Sequence, residues 1–281
     1  MKFLKINRYL LLFALAVLLI LTACTFGACA KQEDKPTVKL PPVAERDGYV
    51  QEYPTLNATV KRFPNKKGLS IYSRLFTPKN FDESKSYGII IMSHGHDAVS
   101  ADGNNSVVKN AIEQGMLAFS FDFCAASKFG KSEGEKETAT NEDESDDLLC
   151  VADYVKNLKF VDKSRIVLFG QSRGGAVTTM TVNRCKDDVA ALVLQAPAIF
   201  AYDNSNNLMR ELKDYGKNIC VLWGDADEAL NVSDADKLLQ FIGEDKMCLH
   251  IIEGAPHSLQ PEDYRKALPL VNEYLMEMGV I

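Results

Sequence analysis

Residues 165–175 read Arg-Ile-Val-Leu-Phe-Gly-Gln-Ser-Arg-Gly-Gly, a short apolar run that meets a serine set between glycines and continues in a helical pattern to about Arg184. The apolar part, Arg165 to Phe169, has β-branched and aromatic side chains without alternation, which suits a strand buried on both faces. The run leads directly into Gly170-x-Ser172-x-Gly174. A strand that turns sharply into a helix crowds its own backbone, so small residues are needed two positions either side of Ser172. Such a bend lifts the serine hydroxyl above the edge of a sheet, at the positive end of the next helix. There the backbone N–H of Arg173 can help to hold an oxyanion. The competing assignment for Ser172 is a helix N-cap, since Ser is favoured there and Gly-rich bends also cradle phosphates. The strand-to-helix context favours a nucleophile.

Outward from this bend, apolar runs alternate with helical patterns, as in a mostly parallel sheet covered on both faces. Ala58 to Phe63 and Leu69 to Phe76 suit an antiparallel opening pair joined through Pro64 to Gly68. Further strands are expected at Gly88 to Ser93, Met116 to Phe123, Ala190 to Leu194, Ile219 to Trp223 and Cys248 to Ile252. Helices are expected at Ser106 to Gln114, Glu144 to Asn157, Ser233 to Ile242 and Pro261 to Met278. With the strand and helix around Ser172, the expectation is about eight strands and five or six helices in one domain.

A serine hydroxyl needs a base, and the base needs an orienting group. The four histidines are His94, His96, His250 and His257. His250 falls inside an expected strand and reads as a packed residue. His257 comes after the last strand in Glu253-Gly-Ala-Pro-His257-Ser, a loop at the sheet edge where strand ends converge, and it is the expected base. The acid should come from the loop after the preceding strand, Gly224-Asp225-Ala226-Asp227-Glu228. Spacing alone leaves its three carboxylates in competition.

The order Ser172, acid, His257 on this strand pattern resembles the α/β-hydrolase fold, over residues from about 55 to 281. That resemblance implies an acid three residues beyond the Gly that ends the strand, which selects Asp227 and leaves Asp225 structural. It also makes His94-Gly95-His96 similar to the family's oxyanion loop, with the N–H of His96 as second donor beside that of Arg173. The family's esterases often have an aromatic residue where this chain has His96, but only backbone is needed there. Otherwise His94 and His96 read as a polar loop packed between strands. Within the fold family, Phe121-Asp-Phe-Cys124 and the Ser/Gly-containing loop after it resemble feruloyl and cinnamoyl esterases. Those esterases carry a cap of several dozen residues after the strand equivalent to 190–194. Here only about Phe200 to Lys217 is available, so a reduced cap and an open site are expected.

Composition sets the surroundings of this domain. The chain has 281 residues and a formal net charge of −6. Its first 23 residues hold Lys2, Lys5 and Arg8 and no acid, leaving 29 of the 32 basic residues against all 38 acidic ones. An acidic body disfavours nucleic acid as a partner. The uncharged run Tyr9 to Leu21 has signal-peptide length and is too short to span a bilayer. The adjoining Leu21-Thr22-Ala23-Cys24 resembles a bacterial lipobox, which implies lipidation of Cys24 and a membrane-anchored protein outside the cytoplasm. An ordinary secretory cut near Ala28-Cys29-Ala30 is the alternative. Residues 1–23 are thus expected to be a signal peptide, 24–52 a tether rich in polar residues and proline, and 53–281 the catalytic domain.

Six cysteines remain after Cys24. Cys124, Cys220 and Cys248 lie in or beside apolar strand runs, and Cys150 and Cys185 in helical patterns. With no Cys-x-x-Cys pair, no metal site is expected, nor any other cofactor. Buried free thiols are the expectation for these cysteines, and a disulfide between two of them is the alternative. The eight acids between Ser132 and Asp147 read as a solvated loop entering a helix N-terminus. The expected activity is hydrolysis of carboxylic esters, small or polymer-borne, through an acyl-enzyme. A peptidase, amidase or thioesterase on the same machinery is the nearest rival, and a catalytically silent surface-binding protein the rival of another class.

Overall fold

Alternation within single strands divides the interior into two cores. In the fourth strand, Ile89 and Ile91 face one core and Ile90 and Met92 the other. Successive strand residues point to opposite faces, so a run that is apolar throughout requires cover on both. The computed structural model describes residues 41–96, 105–202 and 207–281. Nine strands are described: β1 Val50–Glu52, β2 Leu56–Pro64, β3 Ser70–Pro78, β4 Tyr87–Ser93, β5 Leu117–Phe121, β6 Val161–Gln171, β7 Ala191–Gln195, β8 Asn218–Gly224 and β9 Met247–Ile252. They form one sheet in the order β1-β2-β3-β5-β4-β6-β7-β8-β9. Pairing is antiparallel from β1 through β3 to β5 and parallel from β5 onward. This is the α/β-hydrolase fold, mostly parallel and covered on both faces.

The helices are α1 Ser106–Glu113, α2 Asn141–Lys156, α3 Arg173–Val182, α4 Ile199–Tyr202, α5 Asn207–Tyr215, α6 Ser233–Ile242 and α7 Pro261–Glu277. One core includes Leu148 and Val151 of α2, Val177 of α3, Leu212 of α5 and Leu238 of α6. The other includes Val108 of α1 and Leu268 and Val271 of α7. Starts are set locally. Asn105 caps α1, and Thr140 and Asp143 form a capping box on α2, satisfying amides that have no partner within the helix. Pro261 occupies the first turn of α7, where its missing N–H costs nothing.

Two sequence expectations are corrected. The sheet has nine strands rather than eight, because Val50–Glu52, inside the stretch read as a tether, pairs with Asn57 to Thr59 of β2. A three-residue edge strand has too little periodicity to be recognised alone. The acidic stretch is also not wholly solvated: Glu144 and Asp147 are buried on the inner face of α2. Asp147 accepts hydrogen bonds from the Cys124 N–H and the Asn65 side chain, both at 2.7 Å. Of the segment expected to be a reduced cap, α5 packs into the sheet's core through Leu208, Met209 and Leu212. The expected signal peptide, residues 1–23, and the Cys24 that follows it lie outside the described residues.

Candidate active site

Ser172 sits on the bend between β6 and α3 with φ 52° and ψ −119°. A non-glycine residue adopts positive φ only where its surroundings fix it there. The glycines do that here. A Cβ on Gly170 would lie 2.6 Å from the Gly174 carbonyl oxygen, and one on Gly174 would lie 2.5 Å from the carbonyl oxygens of both Ser93 and His94. The bend is pinned across the sheet. Ser172 N–H donates to Gln195 O at 2.9 Å, and the Ser172 carbonyl accepts from Ala198 N–H at 3.0 Å.

The loop after β9 brings His257 to this bend. Its Nε2 lies 3.0 Å from Ser172 Oγ, and its Nδ1 lies 2.8 Å from Asp227 Oδ2. An ionised carboxylate only accepts, so Nδ1 carries the proton and Nε2 is left to accept from the serine hydroxyl. The Asp227 side chain is fully enclosed. Its other oxygen accepts from the N–H groups of Ala229 and Leu230, each at 2.8 Å, so the buried charge is met by three donors.

The neighbouring acids serve other purposes. Asp225 accepts from Gly254 N–H at 2.6 Å, fastening the β8 loop to the β9 loop, and Glu228 accepts from the His257 N–H at 3.2 Å. Geometry thus sorts the three carboxylates that spacing could not separate. Two further residues support the imidazole, and sequence reasoning missed both. The buried Gln195 at the end of β7 donates to the His257 carbonyl at 3.3 Å, and the Tyr264 hydroxyl of α7 donates to Gln195 Oε1 at 2.5 Å. Neither stands near a recognisable motif, so only the fold shows them.

Of the two expected oxyanion residues, Arg173 directly follows Ser172 and His96 follows a glycine that approaches it. Arg173 is the first residue of α3, a position whose N–H has no partner within the helix. Gly95 passes close over Ser172, a Cβ there falling 3.4 Å from the serine Cβ, and His96 comes next in the chain. His94 anchors this loop. It is buried, its Nε2 accepts from Phe123 N–H at 3.1 Å, and its Nδ1 lies 2.8 Å from Gly95 O. An Nε2 that accepts leaves Nδ1 as the donor. Burial, the largest influence, pushes the imidazole's pKa down, which keeps it in this neutral form.

The Arg173 side chain turns the other way. Its Nε donates to Glu144 Oε2 at 2.8 Å, its Nη1 lies 3.3 Å from His96 Nδ1, and its guanidinium stands 5.8 Å from the centre of the Tyr202 ring. Burial lifts the Glu144 carboxyl to about 7 although Arg173 pulls it down. Glu144 was legible in principle, because Leu148, Val151 and Val155 recur from it at helical spacing. Its acidic neighbours masked that pattern.

Comparison with known proteins agrees with this architecture. The profile of the Hydrolase_4 family, described as serine aminopeptidase S33, matches residues 84–213. That stretch holds His96, Ser172 and Arg173 and stops before Asp227 and His257. The uncharacterized protein YcjY of Escherichia coli K12 is 30% identical over 115 residues, covering 41% of this chain and 37% of that protein. The match therefore spans little more than a third of that relative. Among solved structures, Est1E from Butyrivibrio proteoclasticus with bound ferulic acid superposes at a TM-score of 0.65 and 21% identity, covering 79% of this chain and all of that one. A putative dipeptidyl aminopeptidase IV from Bacteroides ovatus gives a TM-score of 0.68 at 18% identity, covering 81% of this chain and 36% of that one. The esterase Pf2001 of Pyrococcus furiosus gives 0.65 at 16%, covering 80% and 94%. At such identities the structures establish a common fold. Taken with the family match, they support a hydrolase.

Proposed function

We propose that the protein is a serine hydrolase that cleaves carboxylic esters through an acyl-enzyme, with Ser172 as nucleophile. The observation that carries this reading is the continuous chain from Ser172 Oγ through the His257 imidazole to the enclosed Asp227 carboxylate, at 3.0 and 2.8 Å. As Ser172 Oγ attacks the ester carbonyl, its proton passes to His257 Nε2, and Asp227 stabilises the imidazolium that forms. The carbonyl oxygen takes the negative charge between the backbone N–H groups of Arg173 and His96. His257 then gives the proton to the departing alkoxide. A water molecule, deprotonated by the same nitrogen, releases the acid and restores the hydroxyl.

Esters are favoured over amides by the likeness to esterases, and among them acyl esters of carbohydrate or other plant-derived material. Est1E binds ferulic acid, and residues 196–217 leave little room for a cap over the site. The family description favours a second reading, an aminopeptidase or amidase. Turnover of p-nitrophenyl acetate and methyl ferulate, set beside aminoacyl p-nitroanilides, separates the two. Fluorophosphonate labelling is expected in the wild type and absent from Ser172→Ala. Labelling that survives the substitution would sink the assignment of the nucleophile. We also propose that Cys24 is lipidated and tethers the domain to a membrane outside the cytoplasm, on the strength of Leu21-Thr-Ala-Cys24 after the apolar run. Mass spectrometry of the mature N-terminus is expected to find diacylglycerol on Cys24. An unmodified terminus at Ala30 or Lys31 would reject it.

A further inference from the structure

Cys220 of β8 and Cys248 of β9 are register partners on neighbouring parallel strands. His250 lies two residues beyond Cys248, so both side chains leave β9 on the same face. It is the face covered by α1 and α7: Cys220 is buried in that core and Cys248 packs against it. Cys248 Sγ stands 3.6 Å from His250 Nε2, and one donor atom from each of the three residues lies within 4.8 Å of the others. Among the described residues this is the one group of three or more His, Cys, Asp or Glu so placed.

The separations suit a particular chemistry. With Zn–S near 2.3 Å and Zn–N near 2.0–2.1 Å, the edges of a tetrahedral site are about 3.6 Å between S and N and about 3.8 Å between two sulfurs. The observed S···N distance already equals that edge. Cys248 and His250 are half-buried on the outermost strand of the sheet, which leaves an approach for an ion and a fourth ligand. We propose that Cys220, Cys248 and His250 form a site for one thiophilic divalent cation, Zn2+ by preference, with water completing the tetrahedron. Two thiolates balance the charge of the ion, and sulfur with imidazole selects Zn2+ over Mg2+ or Ca2+. Binding expels the thiol protons to solvent.

The site is separate from the catalytic one. Each cysteine lies four residues before the end of its strand, about 13 Å below the loops that carry Asp227 and His257. Its role is to clamp the edge strand β9 to β8, the two strands from which acid and base are hung. The sequence suggested no metal because it has no Cys-x-x-Cys. Here strand register does what close spacing does elsewhere.

The test is a Co2+ titration of the reduced full chain. Thiolate-to-cobalt charge-transfer absorption and tetrahedral d–d bands are expected to saturate at one ion per chain and to be displaced by Zn2+. Cys248→Ser is expected to abolish the thiolate band of this site. His250→Ala should weaken binding by at least about tenfold, the lower end of what outer-shell changes alone cost, and Cys124→Ser should leave it unchanged. Zn2+ should raise the melting temperature of the wild type but not of Cys248→Ser, with circular dichroism reporting that each variant is folded. Three results would overturn the proposal: no thiolate band in the reduced wild type, a band that persists in the Cys220→Ser/Cys248→Ser double variant, or Cys220 and Cys248 joined to each other as a disulfide in the protein as isolated.

Discussion

Replacing Glu144 by Gln is expected to flatten the dependence of stability on pH between about pH 4.5 and 8. The Glu144 side chain is 1% exposed, and burial lifts its carboxyl from 4.5 to about 7 against the pull of Arg173. Across that window the folded protein therefore binds a proton that the unfolded chain has released. Stability contributed by the neutral carboxyl is complete below about pH 4.5, declines as pH rises, and is gone once pH passes about 7. A displacement of that size is worth about 3 kcal/mol. Gln has nearly the same shape, keeps an oxygen to accept from Arg173 Nε, and does not ionise. The variant should thus gain about 3 kcal/mol on the wild type between pH 4.5 and 8. The assay is urea denaturation of both proteins at intervals across that range. Subtracting one profile from the other removes the titration of every group they share. Profiles that stay parallel within about 0.5 kcal/mol would refute the argument, because they would mean that Glu144 ionises as it does in water.

Asp227→Asn should lower kcat on p-nitrophenyl acetate by roughly 10⁴-fold, the scale of such losses in Ser-His-Asp enzymes, with circular dichroism unchanged. Its amide NH2 would face His257 Nδ1, which could then no longer donate, so Nε2 would carry the proton. A loss below tenfold would remove Asp227 from the proposed role. Gly174→Ala drives a methyl to within 2.5 Å of two carbonyl oxygens and should cost about 3 kcal/mol, at the upper end for overpacking. Thermal denaturation close to wild type would show that the bend can relax. Tyr264→Phe removes the hydroxyl that Gln195 Oε1 accepts and should destabilise by about 1–3 kcal/mol. It should also lower kcat more than it raises KM, since Gln195 holds the His257 loop rather than substrate; a change in KM alone would count against this.

The sequence by itself determined the features that are written within a few consecutive residues. The Ser172 bend is one, because positive φ at a non-glycine residue demands bare backbone on either side, and Gly170, Gly174 and Gly175 supply it. The continuous apolar runs that became β4, β6, β7 and β8 are another, since burial on both faces leaves no room for alternation. Helices α1, α6 and α7 fell within a residue of expectation for the same reason: 3.6-residue periods are local, and in α1 and α7 so are the caps. Spacing alone left Asp225, Asp227 and Glu228 in competition, and the fold resemblance rather than any local rule pointed to Asp227. Only the tertiary structure decided which acids of the Ser132 to Asp147 run are buried, that Gln195 and Tyr264 brace His257, and that Cys220, Cys248 and His250 converge. Each of these depends on the register and packing of segments distant in the chain. A side chain's partners there are set by which strands lie side by side, which no short window of sequence records.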